Sequence, residues 1–355
     1  MLLRLRSDAR LPLPHPPPAV SVVLPCRKEQ QYIGRCLDSI LVGEYPIERL
    51  EILVVDGMSE DGTRAIVEEY ARRHSTIRLI SNPKRTVPAA INLGIAQATG
   101  ELILRMDAHV EYPADYISSL VRWLLGTGAD NVGGACVTMP ANQSATARAI
   151  AAALSHFFGI GNGDFRLGTG EPRWVDTVPF GCFRRDVFDR FGRFDEDLVR
   201  NQDDEFNHRL IRAGGRVLLI PSIRSRYYAR ASLRDLARMY YQYGYFKPLV
   251  VRKVGGVMTG RQLVPPVFVG TMILTAAVAP WLPNAVVVCA LVAAGYAAAD
   301  IVVSGLLGLK EGVRVAIVLL VVFPVLHLAY GLGYLRGCLD FLLLGKRARD
   351  VALSR

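Results

Sequence analysis

This 355-residue chain lacks several common features, and each absence narrows what it can be. Its six cysteines (Cys26, Cys36, Cys136, Cys182, Cys289 and Cys338) show neither Cys-x-x-Cys nor paired spacing. They read as reduced, mostly buried thiols of a cytosol-facing protein, not as a disulfide framework. Residues 1–19 contain no apolar run long enough for a signal peptide. They carry a proline cluster at Pro12, Pro14, Pro16, Pro17 and Pro18, which predicts a mobile arm over 1–18. No Gly-rich signature loop follows the first apolar strand. The formal net charge of +10 comes without any aromatic–basic module of the RNA-binding kinds, so nucleic acid is not an expected partner. Long hydrophobic runs are absent before residue 262 and abundant after it. The 51% hydrophobic content and the mean hydropathy of +0.25 concentrate there.

What is present first is an alternation of strands and helices. Residues 19–25 form a continuous apolar strand, and Ile33, Leu37, Ile40 and Leu41 place a helix over 29–41. A second buried strand, 50–56, ends in Asp56 and is followed by a helix over about 63–73. A third strand, 77–81, precedes a helix around 88–98, which Gly100 stops before the strand that runs into Asp107-Ala-His109. This order predicts an α/β domain with a right-handed, mostly parallel sheet and functional residues at the strand carboxyl ends. Beyond it, the pattern predicts a helix over 115–125, a strand over 131–137 and an Ala-rich helix over 145–158. A glycine-punctuated loop over 159–172, long enough to cover a ligand, comes next. A strand-like 174–180, an acidic helix opening at Gln202, a strand over 216–221 and a Tyr- and Arg-rich helix over 233–243 complete the soluble part.

From residue 263 the chain reads as membrane-inserted. The runs 263–282, 285–309 and 315–335 each approach or exceed the length needed to cross a bilayer. Arg252, Lys253 and Arg261 precede the first run and put the large domain on the cytoplasmic side of the inner membrane. Three spans would leave the basic Lys346-Arg-Ala-Arg349 outside, against that rule, unless the last run is re-entrant or interfacial. The expected divisions are the arm 1–18, a catalytic domain 19–230, an interfacial amphipathic region 231–262, about three transmembrane helices over 263–345 and a basic tail 346–355.

Four clusters carry chemistry. Pro25, Arg27 and Glu29 follow the first strand, and Asp56, Ser59, Asp61 and Thr63 follow the second. Asp107 and His109 end the fourth strand, where period-2 alternation would point both to one side. A carboxylate and an imidazole suit Mn²⁺ or Mg²⁺ when phosphate oxygens complete the shell. Gln202-Asp203-Asp204-Glu205 opens a helix, where acidic residues also simply favour the dipole. The bland alternatives are helix capping for Asp61 and Thr63, and a surface Asp with a bystander His for Asp107 and His109.

Taken in this order, the clusters resemble family 2 glycosyltransferases, which have the GT-A fold. The resemblance covers about residues 20–250. Val178-Pro-Phe-Gly, Arg200-Asn-Gln-Asp-Asp-Glu and the stretch from Tyr240 to Lys247 look most like the succinoglycan-type glucosyltransferases of bacterial exopolysaccharide synthesis. The resemblance implies an inverting, membrane-anchored enzyme that moves a sugar, glucose above all, from a UDP-sugar to a lipid-linked or polysaccharide acceptor. Polysaccharide assembly proteins would be its partners. It implies Pro25, Arg27, Glu29, Asp56, Ser59, Asp61 and Asp107 around the nucleotide-sugar, and Asp107 with His109 around the metal. His109 stands where the family commonly has a second Asp. It further implies Asp203 as the general base, with Asp204 the alternative one residue along, and Gln202, Tyr241 and Tyr245 toward the acceptor. The chain has no Gln-x-x-Arg-Trp motif of the processive synthases, so single-sugar transfer is expected. The rival readings are a polyprenyl-phosphate sugar synthase, whose acceptor needs no base, and a non-catalytic nucleotide-sugar-binding subunit.

Overall fold

Apolar residues at consecutive positions build the centre of a nine-stranded sheet. The strands are β1 (Val20–Cys26), β2 (Leu50–Asp56), β3 (Ile77–Ser81), β4 (Leu102–Arg105), β5 (Val110–Glu111), β6 (Asn131–Met139), β7 (Arg173–Trp174), β8 (Cys182–Arg184) and β9 (Val217–Tyr228). Their order is β3-β2-β1-β4-β8-β6-β9-β5, with β7 on β9. The first four are parallel, and Val20 lies beside both Leu50 and Leu102. β8 runs antiparallel to β4 and β6, and β5 antiparallel to β9. β1 is buried along its whole length, as a strand covered on both faces must be. The computed structural model describes residues 11–161, 164–167, 170–257 and 259–348. The first ten residues of the expected arm, Gly163 and Gly168 of the expected loop, and the tail from Arg349 lie outside the described residues.

The chain divides into two compact units, one reaching to Val137 and resuming over Asp164–Tyr227, the other taking the segment from Thr138 and the chain from Tyr228 onward. In the first, helix Ile33–Leu41 buries Ile33, Cys36, Leu37 and Ile40, the spacing of one helical face. It starts four residues later than expected, because residues 29–32 form a turn in which Glu29 O accepts from the amides of Tyr32 and Ile33. Helix Val87–Gln97 lies against β1 so closely that a Cβ on Gly94 would sit 2.4 Å from Val23 Cγ1. The core continues through Phe183, Phe188, Phe194 and Phe206, the last two stacked at 4.5 Å. The four described cysteines of this unit, Cys26, Cys36, Cys136 and Cys182, are free and buried.

The second unit is helical. Ala145–Leu154 and the short Phe157–Ile160 replace the single helix expected over 145–158, and the helix expected over 233–243 runs on to Val254, through Pro248. Three helices are long and apolar enough to cross a membrane: Gly260–Val278, Asn284–Glu311 and Val313–Leu343. Their outer faces carry most of the chain's exposed large hydrophobics, from Val267 through Leu291 and Leu309 to Leu343, as lipid-facing surfaces do. Glycine lets helix Leu233–Val254 lie backbone to backbone on the third of them. A Cβ on Gly333 or Gly337 would meet the carbonyl of Tyr241 or Tyr245 at 2.2 Å, and one on Gly244 would meet that of Tyr330 at 2.1 Å. Asp340 is buried against this helix; its Oδ2 accepts from Tyr245 Oη at 3.0 Å and Arg336 Nε at 2.9 Å, and Lys346 Nζ pairs with its Oδ1 at 2.9 Å.

The contact between Gly94 and β1 is a tight packing constraint on the sheet. Gly94→Val should overpack against the stiff Val23 and cost about 1–3 kcal/mol. A denaturant midpoint equal to that of the unmodified protein would show that the helix shifts freely.

Candidate active site

β1 is flanked by β2 on one side and β4 on the other, so the chain leaves its carboxyl end at the sheet's switch point, where α/β folds open a crevice. The loops that follow the strands are held in costly conformations. Lys28, Met58 and Arg85, just after β1, β2 and β3, have φ of 57°, 58° and 56°, and Asn201 has 59°. Asn tolerates this region; Lys, Met and Arg do so only when the surroundings over-determine them. Here the loops after β1 and β2 are stitched together. Ser59 Oγ accepts from Lys28 N at 2.9 Å, Thr63 Oγ1 from Glu29 N at 2.9 Å, and Gln30 Oε1 from Gly62 N at 2.9 Å.

Asp56 is the knot of that stitching. It is 0% exposed; its Oδ1 accepts from Ser59 Oγ at 2.5 Å, and its Oδ2 from Ser59 N at 3.0 Å and Arg64 Nη1 at 2.9 Å. The protein's own donors therefore occupy the carboxylate expected to face the nucleotide. Asp61 works similarly: burial pushes its carboxyl up, but hydrogen bonds from Thr63 and Gln30 outweigh that and hold it below the ordinary range. Pro25 is buried in β1, and Arg27 packs under Gly57 with its Nε buried and lacking a hydrogen bond.

The strand alternation expected to align Asp107 and His109 does not apply, because β4 ends at Arg105. Asp107 lies in the loop beyond it and His109 in a turn. Their placement comes from side chains instead. Tyr112 Oη accepts from Asp107 N at 2.8 Å and donates to Asp107 O at 3.2 Å, which clamps that residue's backbone from both sides. Burial, followed by Cys36, Tyr116 and Asp107, pushes the Tyr112 hydroxyl well up, so it stays a neutral donor. His109 rests its ring edge-on against Tyr227, with centroids 5.0 Å apart. Its Nδ1 is 3.2 Å from Glu29 Oε1, within ion-pair reach but outside hydrogen-bond geometry, so the nitrogen is buried without a hydrogen bond. Arg166 lies over the same Tyr227 ring at 5.0 Å.

The acidic helix is Gln202–Arg212, and its core face fixes it. Phe206 and Leu210 are fully buried, Arg209 pairs with Glu205 at 2.7 Å, and Asn207 bonds Asn131 at 2.8 Å and Thr177 at 2.9 Å. Gln202 is buried, while Asp203 and Asp204 stay partly open, with Asp204 N donating to Asp203 Oδ1 at 3.1 Å. Arg105 joins this helix to Asp107. Its Nη2 is 3.3 Å from Asp107 Oδ1 and its Nη1 3.5 Å from Asp203 Oδ2, and the residue is 8% exposed. Burial would pull the guanidinium down, but Asp107 first and then Asp203 outweigh it and hold it above the ordinary arginine range.

The structure thus joins Asp107 and Asp203 through Arg105 and sets His109 beside Glu29, whose loop is stitched to the corner that holds Asp56, Ser59 and Asp61. Sequence reasoning missed Arg105 and Tyr112. A charged residue inside the apolar Leu102-Ile-Leu104 run was the available signal for the first; the second had none. Among the described residues, no cluster of three or more His, Cys, Asp or Glu could hold a metal ion by itself. The donor set of one carboxylate, Asp107, and one imidazole, His109, with Glu29 beside the imidazole Nδ1, fits an ion whose shell a diphosphate completes. Tyr241 and Tyr245 lie in the helical unit, their rings parallel at 6.2 Å; Tyr245 Oη is committed to Asp340, and Tyr241 is 39% exposed.

Residues 21–192 match the family described as glycosyl transferase family 2. The chain is 31% identical over 328 residues to the succinoglycan biosynthesis protein ExoA of Rhizobium meliloti, covering 90% of this chain and 95% of that protein. The chain belongs to glycosyltransferase family 2. It is also 28% identical over 242 residues, 66% of this chain and 74% of that one, to a dolichyl N-acetyl-alpha-D-glucosaminyl phosphate 3-beta-D-2,3-diacetamido-2,3-dideoxy-beta-D-glucuronosyltransferase of Methanococcus voltae. Its fold resembles that of the mannosyltransferase PcManGT from Pyrobaculum calidifontis, solved with GDP-Man and Mn²⁺. The TM-score is 0.57 with 22% identity, over 94% of this chain and 90% of that one. This glycosyltransferase therefore has a mostly parallel GT-A-like sheet followed by long apolar helices.

Tyr112→Phe should leave the Asp107 amide without its buried partner and cost about 1–3 kcal/mol of stability. UDP affinity in Mn²⁺ should fall several-fold as the loop loosens. Unchanged affinity in a measurably destabilised variant would show that the clamp serves the fold alone.

Proposed function

We propose that this glycosyltransferase moves one hexose from a UDP-sugar to a hydroxyl of a lipid-linked acceptor, with inversion, in bacterial exopolysaccharide or cell-envelope glycan synthesis. The observation that carries the reading is the joining of Asp107 and Asp203 through one buried guanidinium, which supports a single site with one carboxylate toward the diphosphate and one toward the acceptor.

Asp107 and His109 would hold the divalent ion, with Glu29 beside Nδ1 as the outer carboxylate that orients a ligating imidazole. An ion bound there neutralises the diphosphate and stabilises it as a leaving group. The chain's own residues do the rest. Asp203 takes the proton from the acceptor hydroxyl, and the freed oxygen attacks the anomeric carbon from the face opposite the diphosphate. The carbon–oxygen bond to the β-phosphate breaks, its electron pair leaving with UDP. Arg27, Arg64 and Lys28, in the corner that Asp56 braces, supply donors and positive charge to the nucleotide, while Ser59 and Asp61 hold the loop shape. Within the sheet unit Gln202 is the acceptor-side residue; in the helical unit that role falls to Tyr241, which is exposed, and Tyr245, which Asp340 anchors.

The long apolar helices support a membrane acceptor, and the exposed Arg252 and Lys253 before the first of them support a cytoplasmic catalytic domain at the inner membrane. The names of the Rhizobium and Methanococcus relatives, succinoglycan biosynthesis and a dolichyl-phosphate-linked sugar acceptor, agree with this class.

Asp203→Asn keeps shape but cannot take the proton. Transfer should fall roughly 10²–10⁴-fold with UDP affinity nearly unchanged, and Asp204→Asn should be milder. Steady-state transfer with membrane lipid extract and isothermal titration with UDP measure both. The reversed ranking would move the base to Asp204. Full activity in Asp203→Asn would instead point to an acceptor that is already ionised, as a polyprenyl phosphate is.

A further inference from the structure

Two arginines nearer the surface of the sheet unit are saturated. Arg209 gives Nε and Nη2 to the two oxygens of Glu205 at 2.7 and 3.0 Å, and bonds the carbonyls of Phe191 and Arg193 as well. Arg185 bonds the carbonyls of Ala98 and Gly100. Multiple contacts of this kind satisfy a guanidinium even where water can reach it.

Arg105 is different. It is 8% exposed, yet its two carboxylate contacts are long, 3.3 and 3.5 Å, and go to different residues on different elements. Its Nε has no hydrogen-bond partner. A tight charge-assisted bond spans about 2.7–2.9 Å. The guanidinium therefore fully satisfies neither Asp107 nor Asp203 and is poised between them. An arginine kept for packing alone would be expected to fork onto one of the two.

Resting on the roles given above to Asp107 and Asp203, we propose that Arg105 is a positioning residue shared between the donor and acceptor halves of the site. In the donor-free protein it pairs with both carboxylates. When Asp107 turns to the cation and diphosphate, the guanidinium is left to Asp203 alone and holds that carboxylate toward the acceptor hydroxyl. Two consequences of opposite sign follow from its charge. Arg105 competes with the cation for Asp107 Oδ1 and repels it, so removing the guanidinium strengthens metal binding. Removing it also takes from Asp203, whose side chain is 35% exposed, the charge that orients it toward the acceptor, so transfer slows. A lysine keeps the charge but offers one point where the fork has several, and cannot reach both carboxylates.

The test uses the full chain in detergent, following Mn²⁺ binding by electron paramagnetic resonance at saturating UDP, and kcat and KM for a UDP-sugar separately. Arg105→Met should bind Mn²⁺ roughly tenfold more tightly, while kcat falls roughly 10²-fold with KM for the donor not raised. Arg105→Lys should bind Mn²⁺ about as the unmodified protein does and recover only part of kcat. Loss of Mn²⁺ affinity in parallel with kcat would make Arg105 structural and overturn the proposal, as would a fall in kcat with Mn²⁺ affinity unchanged in Arg105→Met. Should Arg105→Met not fold, Arg105→Lys decides alone: weakened Mn²⁺ binding, or full kcat, overturns the sharing. If the unmodified protein shows no UDP-dependent Mn²⁺ binding, the role of Asp107 fails first and the proposal falls with it. That result is distinguishable from the others because it appears before any substitution.

Discussion

The site depends on placing one positive charge between two negative ones in a nearly solvent-free position. Arg105 ends β4, at the point where the chain leaves the sheet, and reaches Asp107 on its own loop and Asp203 on a helix that begins almost a hundred residues later. Two carboxylates brought to one crevice without a counter-charge would repel each other and favour protonation. The guanidinium between them offsets that repulsion and lets them lie close together. The core supplies the rigidity. Phe206 and Leu210 dock the acidic helix, and Tyr112 clamps the backbone of Asp107.

The neighbouring corner follows a second constraint. Asp56 spends its oxygens on Ser59 and Arg64, and Ser59 in turn fixes Lys28 in a left-handed conformation. Buried polar groups that satisfy one another in a chain are costly to disturb. That explains how the loops after β1 and β2 hold unfavourable backbone angles side by side at the sheet edge. In this arrangement an acidic residue at a strand end acts through the side chains and loop it organises.

Much of this was readable from the residues. The apolar runs at 20–26 and 50–56 read as strands buried on both faces, and Asp56 at the end of the second marks the functional edge. The three apolar stretches after residue 262 were legible by length alone, though the structure shifts their bounds to Gly260–Val278, Asn284–Glu311 and Val313–Leu343. The family resemblance read from the ordered clusters agrees with the relatives found. What pattern could not supply was long-range partnership. Period-2 alternation suggested that Asp107 and His109 share a strand face, but the strand stops at Arg105, and a tyrosine five residues on sets the geometry. Nothing in Leu102-Ile-Leu-Arg105 tells which distant carboxylate its arginine will meet. The length of the helix from Leu233 was also hidden. Its continuation through Pro248 rests on glycines of another helix, Gly333 and Gly337, which admit its backbone.

The central claim is that the two carboxylates have separate duties, one on the diphosphate side and one taking the acceptor's proton. A single in-line displacement then follows, and the anomeric carbon must invert. Proton NMR of the product formed from an α-linked UDP-sugar measures this directly. The account predicts a β-linkage, seen as the large coupling of an axial anomeric proton when the sugar is a glucose. A retained α-configuration would contradict it, because one of these carboxylates, or another group, would then have to form a covalent or otherwise retaining intermediate.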